Sequence, residues 1–122
     1  MDLEIQGSRE IPHITFKNGV MKIKGRSIPH DSVPLYSPVL KSFFIYAQNP
    51  KQLTEIIIEL EYLNSDSNRS LMNLLVMAEK MFKRGNNVIV RWLYKSDDEM
   101  MMDQGKIFSS LMDMPIDLVC QN

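Results

Sequence analysis

Between Leu63 and Leu71 the chain places seven polar side chains in a row: Asn64, Ser65, Asp66, Ser67, Asn68, Arg69 and Ser70. Ahead of them runs an apolar stretch ending in Ile56-Ile57-Ile58-Glu59-Leu60. Behind them an amphipathic stretch begins with Leu71-Met72-Asn73-Leu74-Leu75. The row therefore falls at a strand-to-helix turn. A helix start exposes unpaired N–H groups and a partial positive charge. One side chain, Asn64 or Ser65, is enough to cap it. The surplus hydroxyls suit a second chemistry, covalent phosphorylation. A phosphoryl group on Ser65 or Ser67 would bring roughly −1.5 to −2 charge to a dipole that favours it. Arg69 lies along the same first turn, where it can pair with a phosphate. That phosphate would also change the charge of any docking surface built on the turn, which makes it a switch.

The remaining reactive side chains form no catalytic set. His13, His30 and Cys120 are too few and too scattered for a zinc site, and no metal-ligand spacing is present. Asp31 in His30-Asp31 reads as a turn cap, with His30 exposed. Asp97, Asp98, Glu99 and Asp103 lack calcium-loop spacing and a central Gly, and read as an acidic helix start. A small metal-dependent enzyme built on Asp97, Asp98 and Asp103 is the rival from another class. The five Gly do not cluster, so there is no phosphate-cradling loop. The expectation is a non-enzyme with no metal and no cofactor.

These groups must be positioned by the rest of the 122-residue chain, whose length fits one domain, 1–122. Its hydrophobic content of 44% and net charge of −1 describe an ordinary globular protein, not a nucleic-acid or anionic-membrane binder. The single Cys suits a reducing compartment, and no stretch is long and apolar enough to span a membrane, so the expected location is cytoplasmic. The ten Met read as flexible core filler.

Leu3-Glu4-Ile5 alternates as an edge strand would. Ile14-Thr15-Phe16 and Met21-Lys22-Ile23-Lys24 flank Asn18-Gly19, a hairpin turn signal, and Gly25 closes the second arm. Pro29 and Pro34 predict a loop up to Ser37, with Pro38 opening a helix that ends at Asn49-Pro50. Val39, Leu40, Phe43, Phe44 and Ala47 are its expected buried face. Residues 53–63 predict a strand, and the unbroken Ile56-Ile57-Ile58 predicts cover on both faces. A second helix is expected from about Ser67 to Arg84, buried through Leu71, Leu74, Leu75, Ala78, Met81 and Phe82, with Gly85 as its cap. Residues 88–94 read as a strand. A third helix opens at Asp97-Asp98-Glu99, buries Met101, Ile107, Phe108, Leu111 and Met112, and ends at Pro115 before a strand over 116–120. Helical crossovers imply parallel pairing of the later strands. The fold class is α/β: one mixed β-sheet, an N-terminal hairpin and about three packed helices.

Several segments resemble, in order and spacing, the SiaC family of bacterial regulatory phosphoproteins. They are Ile11-Pro12, Gly25-Arg26-Ser27-Ile28-Pro29-His30-Asp31, Leu35-Tyr36-Ser37-Pro38, Leu60-Glu61-Tyr62-Leu63-Asn64-Ser65-Asp66-Ser67, and Trp92-Leu93-Tyr94 with Asp97-Asp98-Glu99-Met100 and Gly105. The resemblance implies a STAS-like fold, similar to anti-sigma-factor antagonists, and no enzymatic activity. It implies switching by a Ser/Thr protein kinase and a PP2C-type phosphatase. It implies a signalling partner such as a diguanylate cyclase, and with it cyclic-di-GMP signalling and biofilm formation. Ser65 stands at the family's phosphoacceptor position, with Asn64, Asp66, Ser67 and Arg69 around it. Asp66 replaces a Ser of the family pattern, and His30 replaces a Glu. Within the binding class the rival is a constitutive adaptor with a decayed phosphosite, Asp66 fixing one state.

Overall fold

The N-terminal hairpin turns at Asn18 and Gly19, with φ of 53° and 79°. Asn tolerates and Gly favours this left-handed backbone, which matches the twist of paired strands. The computed structural model describes residues 2–122. Strands β1 (Leu3–Ile5), β2 (His13–Lys17), β3 (Val20–Ser27), β4 (Leu53–Leu63), β5 (Asn87–Lys95) and β6 (Ile116–Gln121) lie in chain order in one sheet. The pairs β1–β2 and β2–β3 are antiparallel, and β3–β4, β4–β5 and β5–β6 are parallel. Helices α1 (Val33–Tyr46), α2 (Ser65–Lys83) and α3 (Glu99–Leu111) make the three crossovers. This is the mixed α/β sheet with a hairpin and three helices that the residue pattern implies.

Each crossover steps the sheet in the same direction. Right-handed connections then put all three helices on one face. Burial agrees: Ile14, Phe16, Met21, Ile23, Ile56, Ile58, Val90 and Trp92 point into the helix layer and are closed to solvent. Ile57 alternates onto the other face and is only half-buried. The expectation that Ile56-Ile57-Ile58 is covered on both faces is therefore corrected. A continuous apolar run need not mean two covers when the strand lies in a one-sided sheet.

Helix α1 begins at Val33, not at Ser37-Pro38. Pro34 occupies the first turn, where its missing N–H leaves nothing unpaired. The Tyr36 N–H bonds the Ser32 carbonyl at 2.9 Å. Pro38 thus lies inside the helix, on its exposed side. This phase buries Tyr36, Val39 and Phe43 and leaves Phe44 exposed, against expectation. Phe16 packs edge-on against Tyr46 with centroids 4.9 Å apart. Helix α2 starts two residues before Ser67, and its expected apolar stripe is buried except that Phe82 is half-covered. Helix α3 meets the sheet through a narrow face, Met101, Gly105 and Phe108. Ile107 and Leu111, expected in the core, are exposed. Trp92 anchors α3, donating from Nε1 to the Met101 carbonyl at 2.8 Å.

Candidate functional site: the β4–α2 turn

The polar row lies at the carboxyl end of β4, where a bulge prepares the turn. Gly25 pairs with Leu60, but Arg26 pairs with Tyr62, so Glu61 is the extra residue. The bulge restores register for Ser27, which pairs with Leu63 and is fully buried. The Asn64 N–H then donates to the Ser27 carbonyl at 3.0 Å.

Asn64 is the N-cap of α2. Its φ of −81° and ψ of 170° are extended, and its Oδ1 accepts the Ser67 N–H at 2.8 Å. Its amide Nδ2 donates to the Pro29 carbonyl at 2.9 Å, tying the cap to the loop before α1. One side chain therefore satisfies the capping requirement, and the other polar groups have separate uses.

Three of them hold the turn. The Ser67 hydroxyl is closed to solvent and accepts from Ser27 Oγ at 2.8 Å. Ser27 Oγ also shares a 2.8 Å hydrogen bond with the Tyr36 hydroxyl. Burial pushes the Tyr36 hydroxyl up to about 12, with the Ser27 bond acting in the opposite direction. Ser70 bonds Ser32 Oγ at 2.6 Å, and Ser32 Oγ also donates to the Asp66 carbonyl at 3.0 Å.

The carboxylate of Asp66 turns toward α1. It accepts the Ser32 N–H on one oxygen and Arg69 Nη1 on the other, the latter at 3.0 Å. The Ser32 N–H foremost, helped by the Ser32 hydroxyl and the Arg69 guanidinium, holds the Asp66 carboxyl below the usual carboxylate range. Ser32 has no cap bond from its own side chain to α1, and Asp66 supplies one from α2. Asp66 thus acts as a cross-helix cap.

Ser65 differs from all of these. It is the first residue of α2 and its side chain is exposed. Arg69 stands one turn on, also exposed. The structure brings Asn64, Ser65, Asp66, Ser67 and Arg69 together at one turn, with Ser67 inside it and Ser65 outside. Residue patterns alone missed Ser32 and Tyr36, which fall in a stretch expected to be loop. Ser27 and Tyr36 carried a signal only through their segments, Gly25-Arg26-Ser27 and Leu35-Tyr36-Ser37-Pro38.

The acidic residues after β5 behave as an ordinary helix start. Asp98 Oδ1 accepts the Met101 N–H at 3.1 Å. Among the described residues no three His, Cys, Asp or Glu side chains group to hold a metal ion. Asp31 accepts the Val33 N–H at 3.1 Å and His30 is exposed. No helix among the described residues is long and apolar enough to cross a membrane.

Comparison with known proteins gives a consistent picture. The SiaC family of regulatory phosphoproteins matches residues 5–121. An uncharacterised protein of Pseudomonas aeruginosa strain UCBPP-PA14 is 27% identical over 109 residues, covering 88% of this chain and 86% of its own. The crystal structure of apo-SiaC from Pseudomonas aeruginosa superposes with a TM-score of 0.90 at 25% identity, covering 98% of both chains. A second structure, of the diguanylate cyclase SiaD in complex with its activator SiaC, matches at 0.93 and 24% identity, over 98% of this chain and 100% of that one.

Proposed function

This chain belongs to the SiaC family of regulatory phosphoproteins, and we propose that it is a non-enzymatic partner switch whose phosphoacceptor is Ser65. A Ser/Thr kinase adds the phosphate and a PP2C-type phosphatase removes it. The unphosphorylated protein engages a signalling partner in the cytoplasm, and a diguanylate cyclase is the candidate, since the Pseudomonas SiaC is the activator of one.

The observation that carries the reading is the contrast between two hydroxyls. Ser67 is buried and hydrogen-bonded, whereas Ser65 is exposed at the first position of α2. A kinase must reach its acceptor, and Ser65 is accessible without unfolding the turn. A phosphate there meets the helix dipole and the nearby Arg69. It also opposes docking of an acidic or apolar surface on the same turn.

The decayed-adaptor reading needs Asp66 to stand in for a phosphate. Its carboxylate is occupied by the Ser32 N–H and Arg69, which argues against that use. Expression of tagged variants in the native host tests the proposal on phosphate-affinity gels. The retarded band should vanish in Ser65→Ala and persist in Ser67→Ala. Loss in Ser67→Ala alone would move the acceptor to Ser67.

A further inference from the structure

The sheet ends differently on its two sides. β1, at one edge, has three residues. β6, at the other, has six, Ile116 to Gln121, and pairs with β5 in unbroken register. Edge strands are ordinarily blunted by Pro, Lys or a bulge. β6 carries none of these, and Asp117 is its one charged side chain. The Ser96 N–H donates to the Gln121 carbonyl at 3.0 Å. Backbone groups alternate sides along a strand, so Asp117, Val119 and Gln121 bond toward β5. The N–H and C=O of Ile116, Leu118 and Cys120 therefore point outward, where no further strand lies among the described residues.

Helix α3 overlooks this edge. Its Gly105 sits over the seam between Trp92 of β5 and Leu118 of β6, which are register partners. Gln104 Nε2 donates to Asn68 Oδ1 of α2 at 2.6 Å, so the opposite side of α3 looks out over β6. A helix turns about 100° per residue. Glu99, Met102 and Lys106, spaced three and four apart, therefore share that outward side. Glu99 and Lys106 are exposed and Met102 is half-buried. Neither Glu99 nor Lys106 belongs to an ion pair among the described residues. Asp103 lies next to this ridge, toward solvent, and Asp113 is already paired with Lys83.

The geometry points to a second copy of this chain as the occupant of the β6 edge. Two β6 strands pair antiparallel about a two-fold axis at Val119, and the two α3 ridges meet above the new seam. The side chains select this register. Centred on Asp117, the pairing sets two carboxylates face to face, which is destabilising. Centred on Leu118, it sets Asp117 against apolar Val119. Centred on Val119, 37% exposed, it sets Val119 against Val119 and Asp117 against the Gln121 amide. Leu118 of each copy then exchanges backbone bonds with Cys120 of the other. The axis stands perpendicular to the sheet, so both α3 helices lie on one face. Each sits over its own β5–β6 seam, so their axes are two strand spacings apart, roughly 10 Å, a helix-packing distance. α3 runs antiparallel to β6, which brings the axis past Met102. Lys106 of each copy then meets Glu99 of the other, with Asp103 adding to the acidic side. An unrelated strand would satisfy the same backbone groups but would lack the charge match that two-fold symmetry supplies. The pairing does not involve Ser65 and stands apart from the switch.

Sedimentation equilibrium of the full chain in reductant tests the pairing. A reversible monomer–dimer equilibrium is expected, and reductant leaves it intact because Cys120 faces Leu118 rather than another Cys120. Cys120→Pro removes an outward N–H and spares the β5 ladder. It should raise the dissociation constant at least about tenfold. Val119→Lys asks for no backbone change and should do the same, with circular dichroism confirming the fold of both variants. Lys106→Glu should weaken the dimer about tenfold, and adding Glu99→Lys to the same chain should restore it. Val119→Cys in a Cys120→Ser background should cross-link on mild oxidation. Its pair is the non-hydrogen-bonded kind, with Cα atoms about 4.5 Å apart, within disulfide reach. Asp117→Cys in that background should not cross-link. A monomer at every concentration up to millimolar overturns the proposal, as does a dimer that tolerates both Cys120→Pro and Val119→Lys. Cross-linking through Asp117→Cys refutes the register. Failure of Glu99→Lys to rescue Lys106→Glu refutes the α3 contact.

Discussion

Ser65 and Ser67 are two residues apart, yet their hydroxyls meet opposite surroundings. Helical geometry turns the chain about 200° between them, so one faces the core and the other the solvent. Ser67→Ala should therefore cost about 1–2 kcal/mol, because Ser27 Oγ loses a buried partner. Ser65→Ala should lie within about 0.5 kcal/mol of the parent, since it removes an exposed hydroxyl. Urea denaturation of both variants measures the difference. The Asp66 carboxyl titrates lower in the folded chain than in the unfolded one. Its contribution is thus present above the ordinary carboxylate range and is lost as pH falls through the folded value. Asp66→Asn should be less stable than the parent at neutral pH and converge with it in acid, as thermal melts across pH would show. Tyr36 carries the opposite pH signature. Its folded value of about 12 exceeds the unfolded one, so the folded state holds the proton longer. Stability from this group is full below about pH 10 and falls as pH rises toward the folded value. Tyr36→Phe should flatten that alkaline fall.

At the scale of elements, Gly105 decides how close α3 sits to the sheet. A Cβ there would stand 2.5 Å from Trp92 Cδ1 and 2.8 Å from Leu118 Cδ2. Ala is the better helix former by about 1 kcal/mol, but the contact must push Trp92 away from the Met101 carbonyl it bonds. Gly105→Ala should lower stability by about 1–3 kcal/mol in spite of propensity, read as a drop in Tm. The same element shows where sequence reading stops. Period and capping revealed the order of strands and helices, the hairpin at Asn18-Gly19 and the stripe of α2, because these are local patterns. They did not reveal that Ile107 and Leu111 are exposed. An apolar residue looks the same whether its helix packs broadly or perches on a narrow edge. Nor did they place the start of α1, since two prolines compete for the first turn and only the burial of Tyr36 decides between them. At the turn, the row of polar residues advertised the site. Which serine is inside depended on Ser27 and Tyr36, one from β3 and one from α1, a tertiary fact that no spacing encodes.

The molecule as a whole is one-sided: all three helices cover one face of the sheet, and the β4–α2 turn opens onto the helix layer. A charge added at Ser65 can therefore alter the surface presented by α2 and α3 without crossing the core. Phosphorylation is expected to change partner affinity and leave the fold intact, with circular dichroism spectra superposing before and after. Ser65 is the residue proposed to carry the regulatory phosphate. Peptide mass spectrometry of the protein purified from its own host tests it most directly, across growth conditions that turn the pathway on and off. A peptide that includes residues 61–69 is expected, with fragment ions that place one phosphate on Ser65 at an occupancy that changes with condition. A phosphate mapped to Ser67, or none under any condition, would contradict it.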